Sequence, residues 1–145
     1  MADLVSTKIP VDDEAAATLC AALKIEGFFL EFTALQVKGV FPNSTYELYP
    51  TGFRLMTTGD KGRDLFVIHT GKVSVLRPFV MQDIYLGAGD LFGEMGLVRD
   101  GVRTATVVAA EPSKIFRLLF QDLQYLMANN PALGEHLNSV AYHRL

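Results

Sequence analysis

The sequence predicts a mainly β fold flanked by helices at both ends, on three observations. Between Thr45 and Leu118, short runs rich in Val, Ile, Phe and Thr are broken by Gly, Asp or Pro roughly every eight to twelve residues. On either side of that stretch the apolar residues recur at helical spacing instead. Half of the 145 residues are apolar, enough for one core and one domain. Closing the strands into a barrel buries the runs and leaves no free edge.

In chain order, residues 1–10 are mixed in character and end in Pro10, which predicts an arm rather than an element. Asp12, Asp13 and Glu14 then precede the helix former Ala15–Leu23, setting acidic side chains at the positive end of a helix on which Leu19 and Leu23 share a face. Thr33 is a capping residue for a second short helix that reaches about Lys38 and stops at Gly39. After Phe120 the helical period returns. Leu123, Leu126 and Met127 form one stripe, Asn129 and Asn130 end that helix, and Pro131 opens the next, whose stripe is Leu133, Leu137 and Val140. The chain therefore divides into an arm with helices (1–44), a barrel (45–118) and C-terminal helices (119–145), with no internal repeat and no low-complexity segment.

Composition excludes several classes. A net charge of −3 with scattered Lys and Arg disfavours direct nucleic-acid binding, and the densest basic cluster, Lys61-Gly62-Arg63, reads as a turn. Cys20 is the one cysteine and permits no intrachain disulfide, so a reducing, cytoplasmic compartment is expected and the thiol reads as a small buried apolar group. No apolar run approaches the roughly twenty residues that span a bilayer, so no membrane contact is expected of this chain. His69, His136 and His143 lack the pairing or companion cysteines of a metal site, and neither a nucleophile elbow nor a Walker loop is present. No catalysis, metal or cofactor is expected.

The most informative stretch is Gly93–Val107, which places one carboxylate, Glu94, and one guanidinium, Arg103, at the two ends of a glycine-bounded excursion. Residues after Gly93 can form a helical turn whose unpaired N–H groups face an anion. Arg103 is read as opening a strand whose alternation puts it on one face with Ala105 and Val107, where a buried cation needs an anion and its fork suits a phosphate. Singly, each residue has an ordinary account: Glu94 as a carboxylate near a helix start, Arg103 as an outward strand residue with its head in water. Together they favour a pocket for a small phosphorylated ribose.

The segment Phe92-Gly93-Glu94, followed about ten residues later by Arg103-Thr104-Ala105, resembles the phosphate-binding cassette of cyclic-nucleotide-binding domains. Catabolite-activator regulators, kinase regulatory subunits and nucleotide-gated channels share that family. The glycine-punctuated strand pairs from Gly52 to Val75, with Gly59-Asp60, Gly62, Asp64 and Gly71, are similar too, as is Gly89-Asp90 ahead of the cassette (92–106). One departure is Val102, where many members place proline, a substitution that bears on loop rigidity.

The resemblance implies a double-stranded β-helix, or jelly-roll, barrel that binds a cyclic mononucleotide, cAMP or cGMP, and signals through its C-terminal helices to a second copy or an effector domain. It implies Arg103 on the cyclic phosphate, Glu94 on the ribose 2′-hydroxyl, and backbone N–H groups around Gly93, Met95 and Gly96 completing the anion cradle. A hydroxyl needs an acceptor and a carboxylate repels a phosphate monoester, which agrees with that assignment. Thr104 is read as a hydroxyl donor to phosphate or base, or as an ordinary strand residue. Val73, Val75, Leu86, Phe92 and Ala105 are candidate walls for the base, and for Val73, Val75 and Leu86 the core is an equal alternative. An arginine waiting in a pocket for its anion should be removable with little harm to the ligand-free fold. Two rival readings are a relative of the same fold that has lost ligand binding and serves as an interaction or dimerisation module, and, remotely, a metal-dependent cupin-like enzyme.

Overall fold

The computed structural model describes residues 3–95 and 101–143. Strands β1 (Thr7–Lys8), β2 (Thr45–Tyr49), β4 (Leu65–Thr70), β7 (Leu91–Phe92) and β9 (Ser113–Leu118) form a sheet in the order β1-β2-β9-β4-β7. A second sheet runs β3-β8-β5-β6, from β3 (Arg54–Met56), β8 (Thr106–Ala109), β5 (Lys72–Leu76) and β6 (Ile84–Gly87). The pairings are antiparallel, and the two sheets face each other as a jelly-roll sandwich. The strand region begins at Thr45 and ends at Leu118, as the sequence predicts.

Strand alternation sorts the apolar residues into two cores. Leu65 and Val67 of β4 join Phe116 and Leu118 of β9 on the face covered by helices, while Phe66, Ile68 and Ile115 point between the sheets with Val73, Val107 and Ala109. With both faces covered, β4 reads as an unbroken apolar run, Leu-Phe-Val-Ile, rather than an alternating one.

The helices close the outer face of the first sheet. Helix α1 (Asp13–Leu23) is capped by Asp12, whose carboxylate accepts from the Ala15 N–H at 2.7 Å, and it buries Leu19 and Leu23. Helix α2 runs Ala34–Val40 and passes through Gly39 instead of stopping there; its start is held by Gln36 Oε1, which accepts from the Thr33 N–H at 2.9 Å and also from the Thr33 hydroxyl. Helix α3 (Phe120–Asn129) and helix α4 (Pro131–His143) bury Leu123, Leu133 and Leu137 against α1 and the sheet. Buried Asp122 accepts from the Asn43 N–H (3.0 Å), the Asn43 amide (3.0 Å) and the Ser44 hydroxyl (2.7 Å), tying the first turn of α3 to the loop before β2. The arm is not without structure: Thr7 and Lys8 pair with Leu48 and Glu47.

Tyr46 stacks on Phe116, ring centroids 4.4 Å apart, and its hydroxyl lies 2.5 Å from His69 Nδ1. Burial pushes the phenol up to about 12, with the charges of Asp12 and Glu14 adding to the shift. The phenol therefore stays protonated and shares a hydrogen bond with Nδ1, while Nε2 of the same ring lies 3.4 Å from Glu14 Oε1. Tyr46→Phe strips a buried ring nitrogen of its hydrogen-bond partner and should lower stability at pH 7 by about 1–3 kcal/mol in urea unfolding. A phenol whose folded pKa is raised contributes stability that is complete below its ordinary value and lost as pH climbs through the folded one. Between pH 10 and 12 the variant's stability should accordingly fall less steeply than wild type's, with Tyr49, also raised by burial, keeping part of the fall.

Candidate functional site

Arg103 precedes its strand rather than opening it, because β8 begins at Thr106. The alternation nevertheless holds: Arg103, Ala105 and Val107 are buried and Thr104 is exposed. Backbone bonds to the loop after β3 take the place of a ladder. The Arg103 N–H donates to Asp60 O at 2.8 Å, the Gly59 N–H to Arg103 O at 2.9 Å and the Gly62 N–H to Gly101 O at 2.8 Å, while Val102 forms a bridge with Lys61. These bonds tie the segment around Val102 to the loop after β3.

The guanidinium is 6% exposed and held from below. Nη1 donates to Gly93 O at 3.2 Å and Nη2 to Asp64 O at 3.0 Å, and the Phe66 ring lies 6.0 Å away. Burial draws its pKa down while Asp64 and Glu94 pull it up and Arg117 opposes them; it remains a cation at neutral pH. The Asp64 carboxylate in turn takes Arg117 Nε at 2.7 Å. Two glycines make room. A Cβ on Gly62 would come within 2.9 Å of Arg103 Nε and Nη2, and one on Gly93, whose φ is +91°, within 2.8 Å of Asp64 O and 3.0 Å of Arg103 Nη1.

Above the guanidinium opens a cavity of about 260 Å³ between the second sheet and the cassette. Glu94, 2% exposed, Met95, Arg103 and Thr104 are among the residues that line it, as are Gly93, Val75 of β5, Leu86 of β6, Phe92 and Ala105. Gly96 lies outside the described residues, and so does most of the helical turn expected after Gly93. Val73 is a correction to the list of walls. It is fully buried between the sheets, packed with Tyr49, Ile68 and Ala109, two pairs along the β5 ladder from Val75 and not among the residues that line the cavity.

Sequence reasoning overlooked Met56, Arg77 and Ile84 on the walls and Gly62 beneath the arginine. Arg77 had a signal, since it continues the face of Val73 and Val75 at strand spacing. Gly62 had none beyond its turn composition. Among the described residues no group of three or more His, Cys, Asp or Glu side chains is placed to hold a metal ion, and no helix is long and apolar enough to cross a membrane.

Comparison with known proteins points one way. The family model described as cyclic nucleotide-binding domain matches residues 46–130. The cyclic AMP receptor protein of Thermus thermophilus is 33% identical over 102 residues, covering 68% of this chain and 47% of that protein. A cyclic nucleotide-gated potassium channel of Rhizobium etli is 34% identical over 97 residues, covering 67% and 27%. The chain thus spans about half the length of the first relative and about a quarter of the second. The crystal structure of a cyclic nucleotide-binding domain from Methylobacillus flagellatus superposes with a TM-score of 0.71 at 25% identity, covering 96% of this chain and 84% of that one.

The anchoring of Arg103 reverses the expectation that its removal leaves the ligand-free fold unharmed. Its side chain ties Gly93 to Asp64, so Arg103→Ala leaves two carbonyls without their donor and should lower stability by about 1–3 kcal/mol in a denaturant melt.

Proposed function

The chain belongs to the cyclic nucleotide-binding domain family, and from that premise we propose that it is a cytoplasmic, non-catalytic sensor of a cyclic mononucleotide that reports occupancy through α3 and α4. One observation carries this reading: a buried carboxylate and a buried guanidinium, Glu94 and Arg103, converge on a single cavity whose remaining walls are largely apolar. A cyclic phosphodiester carries one negative charge. Arg103 offers it the N–H groups not turned toward Gly93 and Asp64, in a low-dielectric floor where a charge-assisted bond is strong. The ribose 2′-hydroxyl is a donor, and Glu94 is the acceptor beside it. Val75, Leu86 and Phe92 exclude water from the purine.

Output requires that the ligand prefer one arrangement of the C-terminal helices. A physical link is present. The Arg63 guanidinium lies 4.9 Å over the ring of Phe120, the first residue of α3, and its side chain lines Gly101, where a Cβ would sit 3.3 Å from Arg63 Nε. A shift at the end of the cassette is thereby felt at the start of α3.

Cyclic nucleotide at about a hundred times its dissociation constant should stabilise the fold by roughly 2.7 kcal/mol, seen as a rise in melting temperature. No rise with either cAMP or cGMP at millimolar concentration would instead indicate a relative that has lost ligand binding. Glu94→Gln should weaken binding by about 1–3 kcal/mol, and its loss should overlap with that caused by a 2′-deoxy ligand. Fully additive losses in calorimetric titration would remove Glu94 from the ribose.

A further inference from the structure

The loop joining β5 to β6 ends in three consecutive apolar residues, Phe79-Val80-Met81, of which Phe79 and Met81 are fully exposed. A run of that kind on a surface is unusual unless something covers it. Its backbone is unusual as well. The Val80 N–H donates to Arg77 O at 3.2 Å, closing a turn with Pro78 second and Phe79 third. Proline excludes a positive φ at the second position and Phe79 has φ +63°, so the turn is type II, whose third position suits glycine or asparagine. A bulky aromatic there is strained, and its ring gains no burial within the fold in return. Away from this apex the side chains change character in order. Leu76 and Ile84, both exposed, stand where the ladder ends; Tyr85, one residue further, is exposed too, and the Lys72 ammonium lies 5.1 Å over its ring. Arg77 and Asp83 flank the turn with opposite charges. The four strands of this sheet hold no acidic residue, and their two charged side chains, Arg54 and Lys72, are exposed cations.

We propose that this hairpin docks the domain on a phospholipid surface bearing anionic headgroups. The order apolar apex, phenol, ammonium matches the order of acyl chains, interface and phosphates: Phe79 and Met81 enter the boundary of the acyl region by about 5–10 Å, Tyr85 lies at the interface, and Lys72 meets the headgroups. The chain as a whole carries a charge of −3, so an anionic surface admits it only in the orientation that presents these local cations. A convex tip suits a deformable bilayer, whereas a protein partner must supply a pocket for the ring. A second copy is poorly suited: beside the nucleotide cavity, the hollow found among the described residues, by Val37, Phe41 and Phe116, measures about 30 Å³, too small for a phenyl ring. The contact is with a bilayer surface and needs no spanning segment, so the short apolar runs that argue against a span do not bear on it.

The test is co-sedimentation of the whole chain with vesicles of phosphatidylcholine and phosphatidylglycerol, and with vesicles of phosphatidylcholine alone. Wild type should bind the anionic vesicles, and Lys72→Gln should weaken that binding about fivefold while leaving the neutral vesicles unaffected. Replacing Phe79 and Met81 together by Ser should weaken binding about a hundredfold, with the fold intact by thermal melt because both side chains are exposed. A spectroscopic arm reads insertion directly. The chain has no tryptophan, so Phe79→Trp supplies a single indole, whose emission should shift to the blue on anionic vesicles and be quenched by brominated acyl chains. Failure of wild type to sediment with anionic vesicles, equal sedimentation of the double Ser variant, or an unshifted indole would each overturn the proposal. Self-association of wild type that the double Ser variant abolishes, with no vesicle binding by either, would overturn it in favour of a second copy.

Discussion

A charge buried in a β-sandwich is the constraint around which the rest of this domain is arranged. Taking a guanidinium out of water is expensive unless its donors are met and an opposite charge is near. Here two backbone carbonyls, from Gly93 and Asp64, meet two of the donors, and Glu94 and Asp64 supply compensating charge. Both carbonyls come from segments that had to bend inward, and both approaches depend on glycine, at 62 and at 93, because a single Cβ would collide with the arginine or with the Asp64 carbonyl. The arginine is therefore a structural tie and a cation presented to the cavity at the same time.

The two cores isolate that tie from the helices. β4 is shared by both: its odd residues support α1, α3 and α4, and its even ones, Phe66 above all, sit under the cassette and stack on Phe92 with ring centroids 4.8 Å apart. Interiors packed at crystal-like density transmit displacement rather than absorb it. β4, buttressed on both faces, separates the cassette side from the helices, and beside it the Arg63 guanidinium lies over the ring of Phe120.

Much of this was legible in the sequence where the determinants are local. Turn residues and the two-residue period mark the strand region from Thr45 to Leu118, and the spacing of Phe92-Gly93-Glu94 to Arg103 marks residues that line one cavity. Non-local determinants were not legible. β1 exists because Thr7 and Lys8 find Leu48 and Glu47, a pairing that no property of the arm announces. α2 passes Gly39 because a mid-helix glycine costs only about 1 kcal/mol, and the Phe41 N–H still donates to Val37 O at 2.8 Å. Val73 and Val75 are indistinguishable in composition, and only the ladder decides that the first is core and the second cavity wall. The support of Arg103 by Asp64, 39 positions away, has no sequence signal at all.

The clamp at Asp122 has a mechanical consequence. Three donors from Asn43 and Ser44 converge on one carboxylate in the first turn of α3, so that end of the helix is a pivot. With seven residues beyond a fixed fulcrum, α3 is a lever about 10 Å long. A rotation of about 10° at the fulcrum would carry its far end through about 2 Å, where Asn130 alone separates α3 from Pro131 and α4. Small angular strain near the barrel thus becomes a displacement of side-chain size at the far end of the domain, and the gain of the device is set by helix length.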